Sequence, residues 1–307
     1  MDRNTSWSPA AESGISTRWI DANGLTFEVA EAGAGEHLAL CLHGFPELHY
    51  SWRHQMPVLA EMGYLVWAPN MRGYGGTDRP QGIDQYTLKA LTADVGALID
   101  ASGAKQVTLF AHDWGGAIAW AFAITKQRPL TRLVIMNLPH PRAFQRELKR
   151  WRQLRKSWYI YFFQIPWLPE KVLGRNSAKG IGRIFPNTSS NPQNFPAEAQ
   201  KIYSEAANRP GALTAMLNYY RAIVRRPNTL DLGDGRVDIP TLLIWGESDM
   251  ALDVRGTEGT EEWVPDFTLK RLPNASHWVQ QDVPDEVNAI LQDWLPNVAE
   301  TTPDPAS

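Results

Sequence analysis

An aspartate stands at the centre of a sharp strand–turn–helix motif. Residues 107–110 form a short apolar run typical of a strand, and residues 111–116 (AHDWGG) lead from it into a run rich in alanine. Small residues on both sides of a nucleophile are typical of a nucleophile elbow, where serine is more usual. An aspartate that attacks an sp³ carbon forms an ester, which water can cleave, whereas a serine would form a stable ether. Asp113 therefore predicts attack on an epoxide or an alkyl halide, and the alternative is an ordinary helix N-cap.

An acid and a histidine follow two later strand-like runs. Asp249 comes shortly after the apolar run 241–245, and His277 comes shortly after the run 267–272. Parallel strands end at the same edge of a sheet, so residues that follow them can meet there. Nucleophile, acid and histidine in this chain order form a known kind of catalytic triad. We therefore predict that Asp249 orients His277 beside Asp113; the alternatives are a loop acid and a surface histidine.

The segment 43–46 (HGFP) directly follows the apolar run 38–42. Where a sheet carries a nucleophile elbow, this loop and the residue after the nucleophile each donate a backbone N–H to the developing oxyanion. We assign these two donors to Phe45 and Trp114. A lone His-Gly-x-Pro segment would be a weak turn signal, but its position after this strand makes it specific.

The elements around these residues alternate between apolar strands and helices. We predict strands at 16–20, 26–30, 38–42, 65–68, 107–110, 133–137, 241–245 and 267–272, and helices near 51–61, 88–102 and 286–294. Asn23 and Gly24 predict the turn of a hairpin between the first two strands. The alternation is typical of a mostly parallel, doubly wound α/β sheet.

The alternation stops between residues 139 and 229, where charged and aromatic residues have helical periodicity. We predict that this segment is a helical cap domain, inserted into an α/β core domain that comprises residues 15–138 and 230–297. Because ligands bind beyond the carboxyl ends of parallel strands, the cap would close over Asp113. Residues 1–14 and 298–307 are expected to be flexible tails.

Five segments together resemble the epoxide hydrolases of the α/β-hydrolase fold family: 42–46 (LHGFP), 50–55 (YSWRHQ), 71–75 (MRGYG), 112–116 (HDWGG) and 276–278 (SHW). The resemblance covers most of the chain and is more specific in the core than in the cap. It implies an α/β-hydrolase fold and conversion of a small-molecule epoxide to a vicinal diol, with no cofactor and no metal ion. Two residues depart from the family pattern, Ala111 where glycine is usual and Asn70 where aspartate is usual, and we expect modest local effects.

The resemblance also implies two cap tyrosines whose hydroxyl groups hydrogen-bond the epoxide oxygen. Tyr159 resembles the first and Tyr220 the second, while Tyr161 and Tyr219 are close alternatives. Opening an epoxide forms an alkoxide, which needs a proton, and a phenol with a pKa near ~10 stays protonated at neutral pH. The alternative for any one of these tyrosines is simple core packing.

Aromatic side chains in the cap predict an apolar binding site for aryl or alkyl epoxides. These cap aromatics are Trp151, Trp158, Phe162, Phe163 and Trp167, some of which must pack the cap's own core. The side chains that we expect to contact substrate are His43, Phe45, Trp114 and Phe163.

Two other functions fit part of this pattern. Haloalkane dehalogenases share the Asp-Trp-Gly elbow, and the indole that corresponds to Trp114 helps to hold halide. Those enzymes commonly have asparagine at the position of Phe45 and lack the tyrosine pair, so this chain resembles the epoxide hydrolases more closely. A protein of this fold that only binds a ligand under its cap is the second alternative, but it would have no need of His277 and Asp249.

The composition excludes several further classes. The chain has 307 residues, of which 43% are apolar, and a net charge of −3, so its overall charge favours neither nucleic acid nor an anionic membrane. Its one cysteine, Cys41, lies in an apolar run and is expected to be a buried, unreactive thiol. The cysteine and histidine spacings do not match a zinc site. The basic run at 142–156 is expected to be a solvated helix face rather than a membrane-binding one.

The polar N-terminal segment 1–14 lacks the apolar stretch of a secretory signal. The sequence also lacks an apolar run of the ~20 residues that a bilayer span needs. We therefore expect a cytoplasmic enzyme without membrane insertion. The oligomeric state, monomer or homodimer, is left open.

Overall fold

Eight strands form one sheet in the computed structural model, which describes residues 5–227 and 229–298. They are β1 (Ile15–Ala22), β2 (Leu25–Ala32), β3 (His37–Leu42), β4 (Leu65–Pro69), β5 (Gln106–His112), β6 (Arg132–Met136), β7 (Thr241–Gly246) and β8 (Phe267–Leu272). Their order across the sheet is β1-β2-β4-β3-β5-β6-β7-β8. The β1–β2 and β2–β4 pairs are antiparallel, and every other neighbouring pair is parallel. The predicted mostly parallel α/β sheet is confirmed.

The hairpin predicted at Asn23 and Gly24 is present between β1 and β2. Both residues have positive φ values, 46° and 71°, and Ala22 pairs with Leu25 across the turn. Two successive positive φ values match the twist of the flanking strands, and asparagine and glycine adopt them at low cost. The two strands are longer than predicted, because their pairing continues as far as Ile15 and Ala32.

The described residues form twelve α-helices. They are α1 (Gln55–Glu61), α2 (Leu88–Ser102), α3 (Trp114–Ile124), α4 (Pro141–Glu147), α5 (Trp151–Lys156), α6 (Trp158–Phe162), α7 (Leu168–Leu173), α8 (Arg175–Thr188), α9 (Ala197–Ala207), α10 (Ala212–Arg225), α11 (Val279–Asp282) and α12 (Pro284–Trp294). Alternate residues of β3 belong to two separate apolar clusters, Leu40 to one and Cys41 to the other. A strand buried on both faces in this way is the reason that its sequence is a continuous apolar run.

The helix predicted at 51–61 is divided in two. Residues His49–Trp52 form a 3₁₀ turn, and α1 begins only at Gln55. Pro57 explains the late start, because a proline has no N–H and fits only in the first turn of an α-helix.

Helices α4 to α10 lie between β6 and β7, in the segment for which the sequence predicts a cap. Within the described residues this segment contributes no strand to the sheet. None of the helices that the structure describes has the length and apolar character needed to cross a bilayer.

The segments predicted as tails fall partly outside the described residues, at 1–4 and 299–307. Where residues near the N-terminus are described, they contact the core domain. The Ser6 hydroxyl donates a 2.8 Å hydrogen bond to Glu28, and the Trp7 ring lies 5.0 Å from that of Tyr50, edge to face. At the other end, Val298 N–H donates to the carbonyl of Met62.

Candidate active site

Asp113 occupies a strained turn between β5 and α3, with φ 47° and ψ −116°. The next two glycines make this turn possible. A Cβ atom at Gly115 would lie 2.3 Å from the Leu42 carbonyl oxygen, and one at Gly116 would lie 2.9 Å from Cβ of Leu138. Ala111, the departure from the family pattern, is fully buried in β5 and leaves the strand pairing intact. The turn holds the Asp113 carboxylate beyond the carboxyl end of the sheet, as the sequence predicts for a nucleophile elbow.

His277 lies between the two aspartates that the sequence places in a triad with it. Its Nδ1 is 2.7 Å from Oδ2 of Asp249, and its Nε2 is 3.6 Å from Oδ2 of Asp113. The Nδ1 contact is a hydrogen bond, and the Nε2 contact is longer than one. Asp249 therefore fixes the orientation of the imidazole, and Nε2 faces the Asp113 carboxylate.

Four donors hold the Asp249 carboxylate in place. Oδ1 accepts the backbone N–H groups of Ala251 and Leu252 at 2.7 and 2.9 Å, and Oδ2 accepts from His277 and from the Asn137 amide at 2.8 Å. Burial would raise the pKa of Asp249, but the charge and hydrogen bond of His277, with Asn137 and Leu252, outweigh it and hold this pKa below its usual value. Sequence reasoning missed Asn137; its position directly after β6 was the available signal.

The charges of Asp113, Asp249 and His277 stabilise one another. Burial would raise the pKa of Asp113, but His277 and the Phe45 N–H outweigh it and keep this pKa below its ordinary value. Burial would lower the pKa of His277, but Asp249 and Asp113 raise it to about 10. At neutral pH the site thus holds two carboxylates with an imidazolium between them.

The loop after β3 supplies a backbone donor to the nucleophile. Phe45 N–H donates to Oδ1 of Asp113 at 2.8 Å. The loop must approach closely, since a Cβ atom at Gly44 would lie 2.5 Å from Cβ of Asp113. Trp114 is the first residue of α3, so its N–H is one of those that a helix leaves without an internal acceptor. Both predicted oxyanion donors therefore belong to segments that flank the Asp113 carboxylate.

A cavity of about 700 Å³ opens above Asp113 and His277. The side chains of Phe45, Phe163 and Tyr220 form part of its wall. Phe163 is almost fully buried, and its ring lies 5.0 Å from that of Tyr220. Phe45, Phe163 and Tyr220 therefore give this part of the wall an aromatic surface.

The structure separates the candidate tyrosines into two classes. Tyr159 and Tyr220 both line the cavity, with ring centroids 5.8 Å apart. Tyr161 is 65% exposed on the outside of the cap. Tyr219 is buried away from the cavity and donates its hydroxyl to the Arg72 carbonyl at 2.8 Å. Burial and the Asp113 carboxylate raise the pKa of both cavity tyrosines, so their hydroxyl groups stay protonated.

Two residues expected to contact substrate lie behind the cavity wall. His43 is fully buried; its Nδ1 lies 2.8 Å from the Gly44 carbonyl, and its Nε2 accepts the Met71 N–H at 3.0 Å. Burial lowers the pKa of His43 to about 4, so the ring is neutral and shapes the loop. The Trp114 ring packs edge to face against Tyr220 at 5.0 Å and is not among the side chains that line the cavity.

A buried hydrogen-bond network that the sequence did not predict reaches the main chain of His277. Glu47 accepts four hydrogen bonds, from Gly44 N–H, from His112 Nδ1 and from the side chains of Gln280 and Gln281. The other ring nitrogen of His112 lies 2.7 Å from the carbonyl oxygen of His277. His112 thus bridges the Glu47 side chain and the main chain of His277.

Asn70, the second departure from the family pattern, has a local explanation. Its amide donates to Glu28 at 2.6 Å and to Ser6 at 2.8 Å, and its oxygen accepts the His49 N–H at 2.9 Å. An aspartate here would place its carboxylate against that of Glu28. The amide removes this repulsion and ties Ser6 to the core.

The predicted cap aromatics divide between the cavity and the surface. Phe162 and Phe163 line the cavity, as do parts of Trp151 and Trp158. The two tryptophans are nevertheless 72% and 64% exposed, and Trp167 is 68% exposed and does not line the cavity. The tryptophans therefore do not pack the cap's own core.

Comparison with known proteins agrees with this geometry. Residues 40–284 match the alpha/beta hydrolase fold family. The chain is 40% identical to Epoxide hydrolase 4 of Homo sapiens over 283 residues, which cover 90% of this chain and 77% of that protein. It is 32% identical to Epoxide hydrolase A of Mycobacterium tuberculosis over 311 residues, which cover 91% of this chain and 96% of that protein. The crystal structure of Bacillus megaterium epoxide hydrolase in complex with an inhibitor aligns with a TM-score of 0.82 at 30% identity, over 90% of this chain and 99% of that one.

Proposed function

The chain belongs to the epoxide hydrolases of the α/β-hydrolase fold family, and from this premise we propose that it converts an apolar epoxide to a vicinal diol through an ester on Asp113. One observation carries the proposal. The Asp113 carboxylate, the His277 imidazole and the side chains of Tyr159 and Tyr220 border the same cavity. A nucleophile, a base and two acids that contact one substrate are what a two-step hydrolysis of an epoxide needs.

In the first step a carboxylate oxygen of Asp113 attacks an epoxide carbon. The Phe45 N–H holds Oδ1, and we assign the attack to Oδ2. A bond forms between Oδ2 and the carbon while the bond between that carbon and the epoxide oxygen breaks. The epoxide oxygen takes a proton from Tyr159 or Tyr220, which makes the leaving group a hydroxyl instead of an alkoxide.

Formation of the ester prepares His277 for the second step. The charge on Asp113 disappears, and with it one of the two carboxylates that raise the pKa of His277. The imidazolium then loses its proton more readily, and the net effect is that this proton restores the phenol of the tyrosine that protonated the epoxide oxygen. The neutral ring is the form that can act as a base.

In the second step His277 takes a proton from water, and the resulting hydroxide attacks the carbonyl carbon of the ester. The carbonyl oxygen is Oδ1 of Asp113, which already accepts the Phe45 N–H, so the oxyanion develops beside that donor and the Trp114 N–H. The bond between the carbonyl carbon and Oδ2 breaks, and the diol leaves with Oδ2 and the proton from His277. The new carboxyl group of Asp113 then gives its proton to His277, which restores the carboxylate and the imidazolium.

The cavity supports an apolar substrate. Phe45, Phe162 and Phe163 contribute to its wall, and the one acidic side chain among its lining residues is Asp113. Aryl and alkyl epoxides can bury their hydrocarbon groups against these rings. Phe45 and the tyrosine pair also distinguish this site from that of a haloalkane dehalogenase, in which a departing halide needs no proton.

A single turnover in oxygen-18 water, with enzyme in excess over a styrene-oxide-type epoxide, tests the ester route. We expect the label in the Asp113 carboxylate and an unlabelled diol, because water attacks the ester carbonyl and not the epoxide. Label in the first-turnover diol would mean that water opens the ring directly, and the role assigned to Asp113 would be wrong.

A further inference from the structure

Several exposed apolar side chains of this protein line the cavity or lie close in sequence to residues that do. Of the nine large hydrophobic side chains that are exposed in the described residues, seven form what we call the rim. They are Trp151, Trp158, Tyr161, Ile165, Trp167, Val172 and Met250. Four of the seven also line the cavity that holds Asp113: Trp151, Trp158, Val172 and Met250. The other three, Tyr161, Ile165 and Trp167, lie between Trp158 and Val172 in the sequence.

A cationic segment adjoins the rim. Residues 146–156 contain six arginines and lysines, whereas Glu147 is their one acid and is buried. Arg146 and Arg150 face Glu147, at 3.5 and 3.4 Å. No acidic group among the described residues comes within ion-pair distance of Lys149 or Arg155. Arg152 lies 3.4 Å from Asp253, but the segment still keeps a local positive charge, although the whole chain is slightly negative. The exposed rim beside this charge favours a membrane-binding face over the solvated face expected from the sequence.

We propose that the rim docks on the surface of a bilayer that contains anionic phospholipids, so that the cavity opens toward the lipid. Indole and phenol rings combine an apolar body with a polar atom, and they favour the depth of the lipid headgroups. Lysine and arginine next to such rings are attracted to anionic headgroups. The rim and the cationic segment supply these two features on one side of the cap.

A second copy of the chain fits this surface less well. In a symmetric dimer the same patch contacts itself, so the two cationic segments would face each other across the interface. Anionic headgroups have the opposite charge and meet no such repulsion. Apolar epoxides also partition into bilayers, so a docked enzyme would meet them at a raised local concentration.

Vesicle flotation tests the proposal without relying on the catalytic chemistry. The full chain is mixed with phosphatidylcholine vesicles with or without phosphatidylglycerol, at low and at high salt. We expect flotation only with the anionic lipid, and weaker flotation at high salt because the headgroup charges are screened. If the chain fails to float with anionic vesicles while it hydrolyses a dissolved epoxide, the proposal is overturned and the proposed function stands.

Two variants and a matched control assign the binding to this surface. Trp167→Asn removes one indole outside the cavity, and asparagine tolerates the positive φ of 54° at this position. Lys149→Gln removes one charge that no acidic group of the described residues neutralises and should weaken binding roughly 5-fold. The control, Lys126→Gln, removes one charge at the opposite end of α3 and should leave binding unchanged.

Three results would refute the assignment. Equal loss in the control variant would show that only net charge matters. Unchanged binding in Trp167→Asn would exclude the rim. A dimer in light scattering that becomes a monomer in Trp167→Asn would show that the rim binds a second copy. Turnover of a dissolved epoxide and the melting temperature serve as folding controls for each variant.

Discussion

Nε2 of His277 lies 3.6 Å from Oδ2 of Asp113. This distance is short enough for a strong electrostatic interaction but too long for a hydrogen bond. The distance leaves Oδ2 free to attack a substrate carbon. In the proposed mechanism this relationship would let one histidine serve both steps, as a charge that keeps Asp113 ionised and then as a base.

Replacement of the nucleophile should abolish the reaction. Asp113→Ala is expected to lower kcat by about 10⁴-fold or more, because the ester cannot form. Steady-state turnover of an aryl epoxide measures this, with circular dichroism as a control for folding. Substantial residual turnover in a folded variant would argue for direct attack by water.

Replacement of the base should stop the reaction at the ester. In His277→Ala, Asp113 still opens the epoxide, but water at the ester carbonyl lacks a general base. Intact-protein mass spectrometry should detect the mass of one substrate molecule added to the chain, and peptide mapping should place it on Asp113. If the variant turns over at the normal rate, the assignment of the hydrolytic step is wrong.

The two cavity tyrosines should act in ring opening. Tyr159→Phe and Tyr220→Phe should each slow ester formation, and the double variant should nearly stop it, since the alkoxide then has no acid. Pre-steady-state kinetics measures this step directly. Tyr161→Phe and Tyr219→Phe are matched controls that remove the same atom outside the cavity.

The Tyr219→Phe control makes a prediction of its own. It loses the 2.8 Å hydrogen bond to the Arg72 carbonyl and should reduce the free energy of unfolding by about 1 kcal/mol with little effect on ester formation. If ring opening is normal in the variant that lacks both cavity hydroxyl groups but slow in Tyr219→Phe, the assignment is wrong. Tyr219, and not the cavity pair, would then act in ring opening.

The pH dependence of stability should report the charge on His277. Its pKa is raised from 6.5 to about 10 in the folded protein. A raised pKa stabilises the fold fully below pH 6.5, and this contribution is lost as the pH rises through 10. Compared with His277→Gln, the wild type should therefore lose on the order of a few kcal/mol of unfolding free energy between pH 7 and 10. Urea denaturation of both proteins across this range measures the difference, and parallel curves would contradict the ion pair.

The pair between Glu47 and His112 should matter for stability. Glu47→Ala leaves Gly44 N–H, His112 and two glutamine amides without their buried acceptor and should cost about 3 kcal/mol in the free energy of unfolding. The double variant with His112→Ala should cost less than the sum of the two single variants, because the hydrogen bond between the two residues is lost only once. Thermal and denaturant unfolding measure these losses, and additive losses would show that the two residues do not interact.

The sequence by itself determined the kind of chemistry and the order of its parts. An aspartate between small residues, followed by an acid and a histidine that each come after a strand, predicts the reacting groups that we propose, because strands of a parallel sheet end at one edge. The apolar runs also predicted the sheet, since a strand buried on both faces carries mostly apolar residues.

The tertiary structure alone decided which neighbouring side chains reach the cavity. Tyr159 and Tyr161 are two positions apart on α6 and point in nearly opposite directions, and Tyr219 and Tyr220 differ by about a quarter turn of α10. Both members of each pair are tyrosines that lie close together in the sequence. Only the packing of α6 and α10 in the folded protein therefore decides which of them lines the cavity. The Glu47–His112 pair and Asn137 were missed for a related reason: their partners are distant in the chain and meet only when the sheet is assembled.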